Sequence, residues 1–262
     1  MASISREPAS AVPARAGVGD VAPPSTRPAR RAGRWFHVGV AILAWVLSLA
    51  AFAPSIGNPS LRHGPVSGLV WAHAALMAAW LALYGAQSWL AATGRVSVHR
   101  HLGVASIAIA PGVVVTGYLV TVAMVRRGYD LSGDLSRAGA SALDQAVFQF
   151  GALVIFSILI AAALVARRRP RVHKRLMTLA VTQTLTAPLA HMVGHFQLPG
   201  LVMPAWGIAA VAALLAYDRR VLGRVHPASL WVGVGLVVLN NLQFAVIGPS
   251  SAWRDLMTWL TR

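Results

Sequence analysis

The sequence predicts an all-α, membrane-embedded bundle of seven transmembrane helices, with the N-terminus cytoplasmic and the C-terminus outside. Three observations carry this. Of 262 residues, 56% are hydrophobic and only 11% charged, whereas a soluble domain carries roughly 25% charged residues to coat its surface. The apolar residues gather into seven runs, each near the ~20 residues that cross a ~30 Å hydrocarbon layer. The basic residues cluster between these runs, and since backbone groups in lipid must be satisfied within the segment, the runs are helices.

Residues 1–34 form a tail rich in Ala, Pro, Ser and Arg without apolar periodicity, and disorder on the cytoplasmic side is expected there. Arg30-Arg31, an apolar run and Ala51-Phe52-Ala53 together mimic a cleavable signal. Pro54 directly after that site disfavours cleavage, so the run reads as an uncleaved first span. The seven spans are placed at 35–54, 66–92, 102–125, 143–166, 176–197, 201–217 and 229–249, making 35–249 one transmembrane domain. Within these bounds every Lys and Arg falls outside a span, and the only acid near one is Asp144 at the mouth of span four. In residues 250–262, Trp253, Leu256, Met257 and Leu260 recur at helical spacing with Arg254 and Asp255 off the stripe, which predicts a short amphipathic helix on the outer surface.

Orientation follows from the cations. The tail, Arg95, Arg100, the 167–175 loop, Arg219, Arg220 and Arg224 place seventeen on one face, against six at Arg62, Arg126, Arg127, Arg137, Arg254 and Arg262. Positive charge stays inside, so the first face is cytoplasmic. Trp35 and Trp231 fit an inner aromatic belt and Trp71 and Trp206 an outer one. The same rule accounts for the formal net charge of +16. No continuous basic groove with interleaved aromatics exists, so nucleic acid is excluded as a partner and the lipid bilayer is the expected one. The use of Arg over Lys and the Ala richness fit a high-GC bacterium, placing the chain in a bacterial cytoplasmic (inner) membrane.

With no Cys there are no disulfides, thiolate metal sites, iron–sulfur clusters or covalently attached haem. No loop is long enough for a soluble catalytic domain, and no Walker or Gly-x-Gly-x-x-Gly pattern occurs. Ionisable groups inside a membrane are functional candidates by default, and the nine histidines are what remains. His73 in span two and His191 in span five lie at matching depth, roughly 10 Å below the outer boundary at 1.5 Å per residue. His195, one turn beyond His191, shares its face, as do Thr184 and Pro188. Asp144, Gln145 and Gln149 of span four and Asn240, Asn241 and Gln243 of span seven add polar groups, predicting an outer cavity lined by His, Gln and Asn.

Three readings use these residues. His73 with His191 or His195 could be the axial ligands of a haem b, which needs neutral imidazoles on facing helices and no Cys. His73, His191 and His195 could instead bind zinc, with Asp144 as fourth ligand or base, for intramembrane hydrolysis. In the third, the histidines only join helices, as in a non-enzymatic structural, assembly or small-molecule transport protein. On the inner side, Val98-His99-Arg100-His101-Leu102, Val172-His173-Lys174-Arg175-Leu176 and Arg224-Val225-His226-Pro227 repeat at the turns of successive hairpins. These turns read as anchors to anionic headgroups. Alternatively His99 and His173 form a second ligand pair, or the turns dock an anionic lipid or a quinone headgroup.

At His99-Arg100-His101-Leu102-Gly103 and His173-Lys174-Arg175-Leu176-Met177 the chain resembles a family of small bacterial multi-pass membrane proteins with His-Arg-x-Leu-Gly and His-Lys-Arg-Leu-Met turns. The likeness covers about residues 66–230 and includes a His early in span two, here His73. That family is in turn distantly similar to transmembrane di-haem cytochrome b families, whose histidines on four core helices clamp haems near each face. The resemblance implies electron transfer within the membrane, with a quinone or another redox partner as the exchange partner. This chain departs from the di-haem pattern in having no His in span four.

Overall fold

A computed structural model of the protein describes residues 27–139 and 141–262. The described residues are helical, with no strand among them. Eleven α-helices follow one another among them: α1 (Arg27–Gly57), α2 (Gly68–Ala92), α3 (Val96–Gly103), α4 (Ser106–Arg127), α5 (Asp134–Arg137), α6 (Ala142–Val165), α7 (Pro170–Thr184), α8 (Thr186–His195), α9 (Val202–Leu222), α10 (Gly233–Leu242) and α11 (Ser251–Leu260). The first helix begins at Arg27, inside the segment expected to be disordered, and the rest of that tail lies outside the described residues.

Among the described residues six helical stretches, not seven, are long and apolar enough to cross a membrane: Gly33–Gly57, Gly68–Ala92, Ser106–Arg127, Ala142–Arg168, Pro170–His195 and Ala228–Ile247. The segment expected at 201–217 does form a helix, α9, but it closes on Asp218, Arg219 and Arg220, which dilute its apolar character. Gly223, at φ 72°, ends it in the left-handed conformation that glycine adopts without strain. The faces of the bundle are apolar: Ile42, Val46 and Leu49 of α1, Ile107 and Val115 of α4, and Val154 and Ile158 of α6 are all exposed. Such continuous apolar exposure is disfavoured in water and is what a lipid-facing surface requires.

Helices adjacent in sequence pack as neighbours through α1, α2, α4, α6 and α7, while α1 also meets α8 and α9. Their shared core holds Trp80, Tyr84, Val113, Phe156, Leu179, Leu185 and Leu214. A smaller core on the other side of the bundle joins Met124, Leu135, Val147, Trp253 and Met257. The stripe of α11 is therefore divided: Trp253 and Met257 are buried, Trp253 donating its Nε1–H to the Leu143 carbonyl at 3.3 Å, while Leu256 stays exposed. Trp206 donates its Nε1–H to the Thr182 carbonyl at 3.3 Å.

Two further boundaries move for local reasons. Span three, expected from 102, starts at Ser106, and the His99–His101 turn folds as the separate helix α3. Span five is broken at Leu185, one turn before Pro188, whose missing N–H and bulky ring interrupt the ladder. Thr182, Thr184 and Thr186 donate their hydroxyls to the Leu179, Val181 and Gln183 carbonyls around the break.

Candidate functional site

The loop between α4 and α6 builds a carboxylate centre that the histidine pattern did not reveal. Asp130 accepts from the Ser132 and Ser136 hydroxyls, at 2.7 Å each, and from the backbone N–H groups of Leu135 and Ser136. Burial would raise its pKa, but these donors hold it below the ordinary carboxylate value. The loop is thereby fixed so that Asp134, fully buried, faces α8. Asp134 pairs with Arg137 and with His191 Nδ1 at 3.2 Å, and lies 3.5 Å from His195 Nδ1. Burial again acts upward on Asp134, and His191 and then Arg137 outweigh it, keeping the group ionised. Gly194 makes the approach of loop to helix achievable, since a Cβ there would fall on the Asp134 carbonyl.

The protonation of His191 follows from its neighbours. A carboxylate only accepts, and the Ser132 hydroxyl is already donating to Asp130, so Nδ1 carries the proton toward both Asp134 and Ser132 at 3.2 Å. Nε2 makes no protein hydrogen bond among the described residues. The ring rests against Phe52, with centroids 4.7 Å apart. It lines a cavity of about 600 Å³ among α6, α7, α8, α9 and α10. Gln145, Gln149, Asn240 and Asn241 share that lining, which is otherwise mostly apolar, whereas His73, His195, Asp144 and Gln243, expected there too, do not line it. Gln183 and Asn240 pair amide to amide across it, at 3.0 and 3.1 Å. Asp144, in contrast, is exposed and caps α6, its carboxylate accepting from the Ser141 N–H and hydroxyl.

His73 is held apart from this centre. Its Nδ1 meets the Thr116 hydroxyl of α4 at 2.9 Å, and that hydroxyl donates to the Gly112 carbonyl. No hydrogen bond or ring contact among the described residues joins His73 to His191 or His195, and no group of three or more His, Cys, Asp or Glu among them could hold a metal ion. His195 instead meets Phe196 edge-on.

The inner histidines do come together. His99 on α3 and His173 on α7 stand with ring centroids 6.5 Å apart and planes at 89°. His99 Nδ1 donates to the Gln87 carbonyl at 3.2 Å and His173 Nδ1 to the Ala163 carbonyl at 2.8 Å. Carbonyls only accept, so both Nδ1 atoms carry protons and neither Nε2 is engaged in these bonds. Burial lowers the His99 pKa below 6.5, opposed by the Gln87 carbonyl, which favours the neutral, ligating form. His101 is exposed and bonds only the Ser97 carbonyl of its own helix.

Beside this pair lies a second buried charge centre. Arg175 and Asp218 are both fully buried and pair directly between α7 and α9. This corrects the expectation that every Lys and Arg lies outside the spans, since the fifth spanning stretch starts at Pro170, not 176, and carries Lys174 and Arg175 within it. Asp218 also accepts the His226 backbone N–H at 3.1 Å, and Lys174 donates to Tyr217 at 2.7 Å. His37 and Tyr84 both donate to the Thr178 hydroxyl, which itself donates to the Lys174 carbonyl. The signal for Asp130, Asp134 and Asp218 is scarcity, because each is one of only seven acids in the chain.

No known protein family, curated protein or solved structure matches the chain.

Proposed function

We propose that the protein is a multi-pass protein of the bacterial cytoplasmic membrane, N-terminus inside, that carries electrons through a haem b ligated by His99 and His173. The observation that carries this reading is the perpendicular His99–His173 pair, with both Nδ1 atoms tied to carbonyls and both Nε2 atoms free. Haem b, when bound, supplies a one-electron carrier. The chain's own part is to fix the two rings: the Gln87 and Ala163 carbonyls set the tautomer and orientation and raise the basicity of Nε2. A quinone or a redox protein is the exchange partner in this reading.

The orientation rests on the seventeen-to-six cation bias, and a C-terminus outside requires α9 to cross along with the six apolar helices. Small-molecule transport without a cofactor is the second reading, favoured by the 600 Å³ cavity. A zinc hydrolase has less support, since His73 is held by Thr116 and Asp144 by Ser141.

The test is a reduced-minus-oxidised absorption spectrum of the detergent-purified protein. A haem b band near one per chain is expected, lost on His99→Ala and on His173→Ala and kept on His73→Ala. Loss on His73→Ala alone would move the site to the outer histidines. A colourless sample from haem-replete cells would reject the reading.

A further inference from the structure

Independently of any haem, the cavity beside Asp134 has the features of a binding site. Its volume of about 600 Å³ falls within the range of roughly 300–1,000 Å³ typical of small-molecule pockets. Its walls are mostly apolar and include the Phe148 and Trp206 rings, and it extends to Met203 and Pro204 in the first turn of α9. Gln149 Oε1 is buried with no hydrogen-bond partner, and His191 Nε2 is the ring nitrogen that Asp134 and Ser132 do not take. Buried polar groups are rarely left in this state without a ligand or water.

The charges around the site narrow the ligand. Asp134 is already paired with Arg137 and bonded by His191, so a cation would find no unbalanced carboxylate. An anion would face that same carboxylate behind the imidazole. A neutral hydrogen-bond donor on an apolar body matches both acceptors. Among neutral donors a phenolic hydroxyl adds an aromatic ring for the Phe148 and Trp206 walls, where ring pairs contribute beyond their buried area.

We propose that this cavity binds a membrane-dissolved phenol, with its hydroxyl donating to His191 Nε2 and its ring enclosed between α6 and α9. Asp134 is a positioning residue: it holds the imidazole in the tautomer that presents an acceptor. Gln149 receives a second donor when the ring carries one.

The experiment is calorimetric titration of the full chain in phosphatidylcholine nanodiscs with para-nonylphenol, and with para-nonylanisole as a control of the same apolar body without the donor. The phenol is expected to bind at least about ten-fold more tightly than its methyl ether, because a site built around a hydrogen bond discriminates against an analogue lacking it. His191→Phe should abolish this preference while keeping the affinity for the ether, and Asp134→Asn should reduce it. Ala187→Trp, which fills the cavity, should remove binding of both. Should His191→Phe fail to fold, wild-type protein still decides, since equal affinity for phenol and ether overturns the proposal. A preference that survives in a folded His191→Phe, or binding that survives Ala187→Trp, also overturns it. Because neither probe reports on haem, a colourless sample leaves this test intact.

Discussion

Asp134 and Asp218 are both fully closed off from solvent, yet their surroundings differ in kind. Asp218 meets Arg175, itself fully buried, and the pair is enclosed between two packed helices. Asp134 meets Arg137, whose side chain is 32% exposed, and two histidines that are 15% and 17% exposed beside an open cavity. A buried pair with no access to water or ligand joins α7 to α9 and does little else. A carboxylate whose partners include an imidazole at a cavity wall fixes which ring nitrogen is turned away from it. Burial of the charge is the same in the two places; access to its partners separates glue from chemistry.

The largest effect that tests this contrast is removal of each acid. Asp218→Asn leaves Arg175 buried without its counter-charge and is expected to cost about 3–5 kcal/mol of stability. Asp134→Asn should cost less, about 1.5–3 kcal/mol, because Arg137 can turn to water. Denaturant titration in micelles, followed by circular dichroism, measures both. Equal losses would erase the distinction. Replacing the inner pair together, Arg175→Met with Asp218→Leu, should restore most of the stability, as expected where a pair serves packing.

A smaller effect is expected from Gly194→Ala. The added methyl meets the Asp134 carbonyl and must push the loop from α8, at about 1–3 kcal/mol. The same displacement should weaken phenol binding, whereas the spectrum expected from the inner histidines should be unchanged. The smallest effect is pH dependence at Asp130. Its folded pKa is depressed below 3.8, so its contribution is fully present above 3.8 and lost as pH falls through the depressed value. Melting curves recorded down through that range should fall more steeply for the wild type than for Asp130→Asn. Parallel curves would mean that Asp130 does not hold the outer loop.

The helices were legible because each apolar run is long and bounded by charge, and 66–92 against Gly68–Ala92 shows how closely that fixes a span. The break at Leu185 was not, since Pro188 announces an interruption without saying on which residue it falls. The count of six fell short of seven because α9 closes on Asp218, Arg219 and Arg220, whose charges lower the hydropathy of an otherwise apolar run. In the candidate site, His191, Gln145, Gln149, Asn240 and Asn241 were placed on the cavity by depth alone. Depth could not supply azimuth or partner, so His73 matched His191 in level yet bonds Thr116. Asp134 was missed because it opens α5, a four-residue helix too short for any periodicity to show.

The interruption at Leu185 has a mechanical consequence. His173 and His191 are eighteen residues apart, and along an unbroken helix of 3.6 residues per turn they would lie on one face. Any roll of that rod would swing both rings through the same angle. With the rod cut into α7 and α8, torque applied at one end is taken up at the joint. The ring positions at the two ends of one span are therefore not tied to a single roll of the helix.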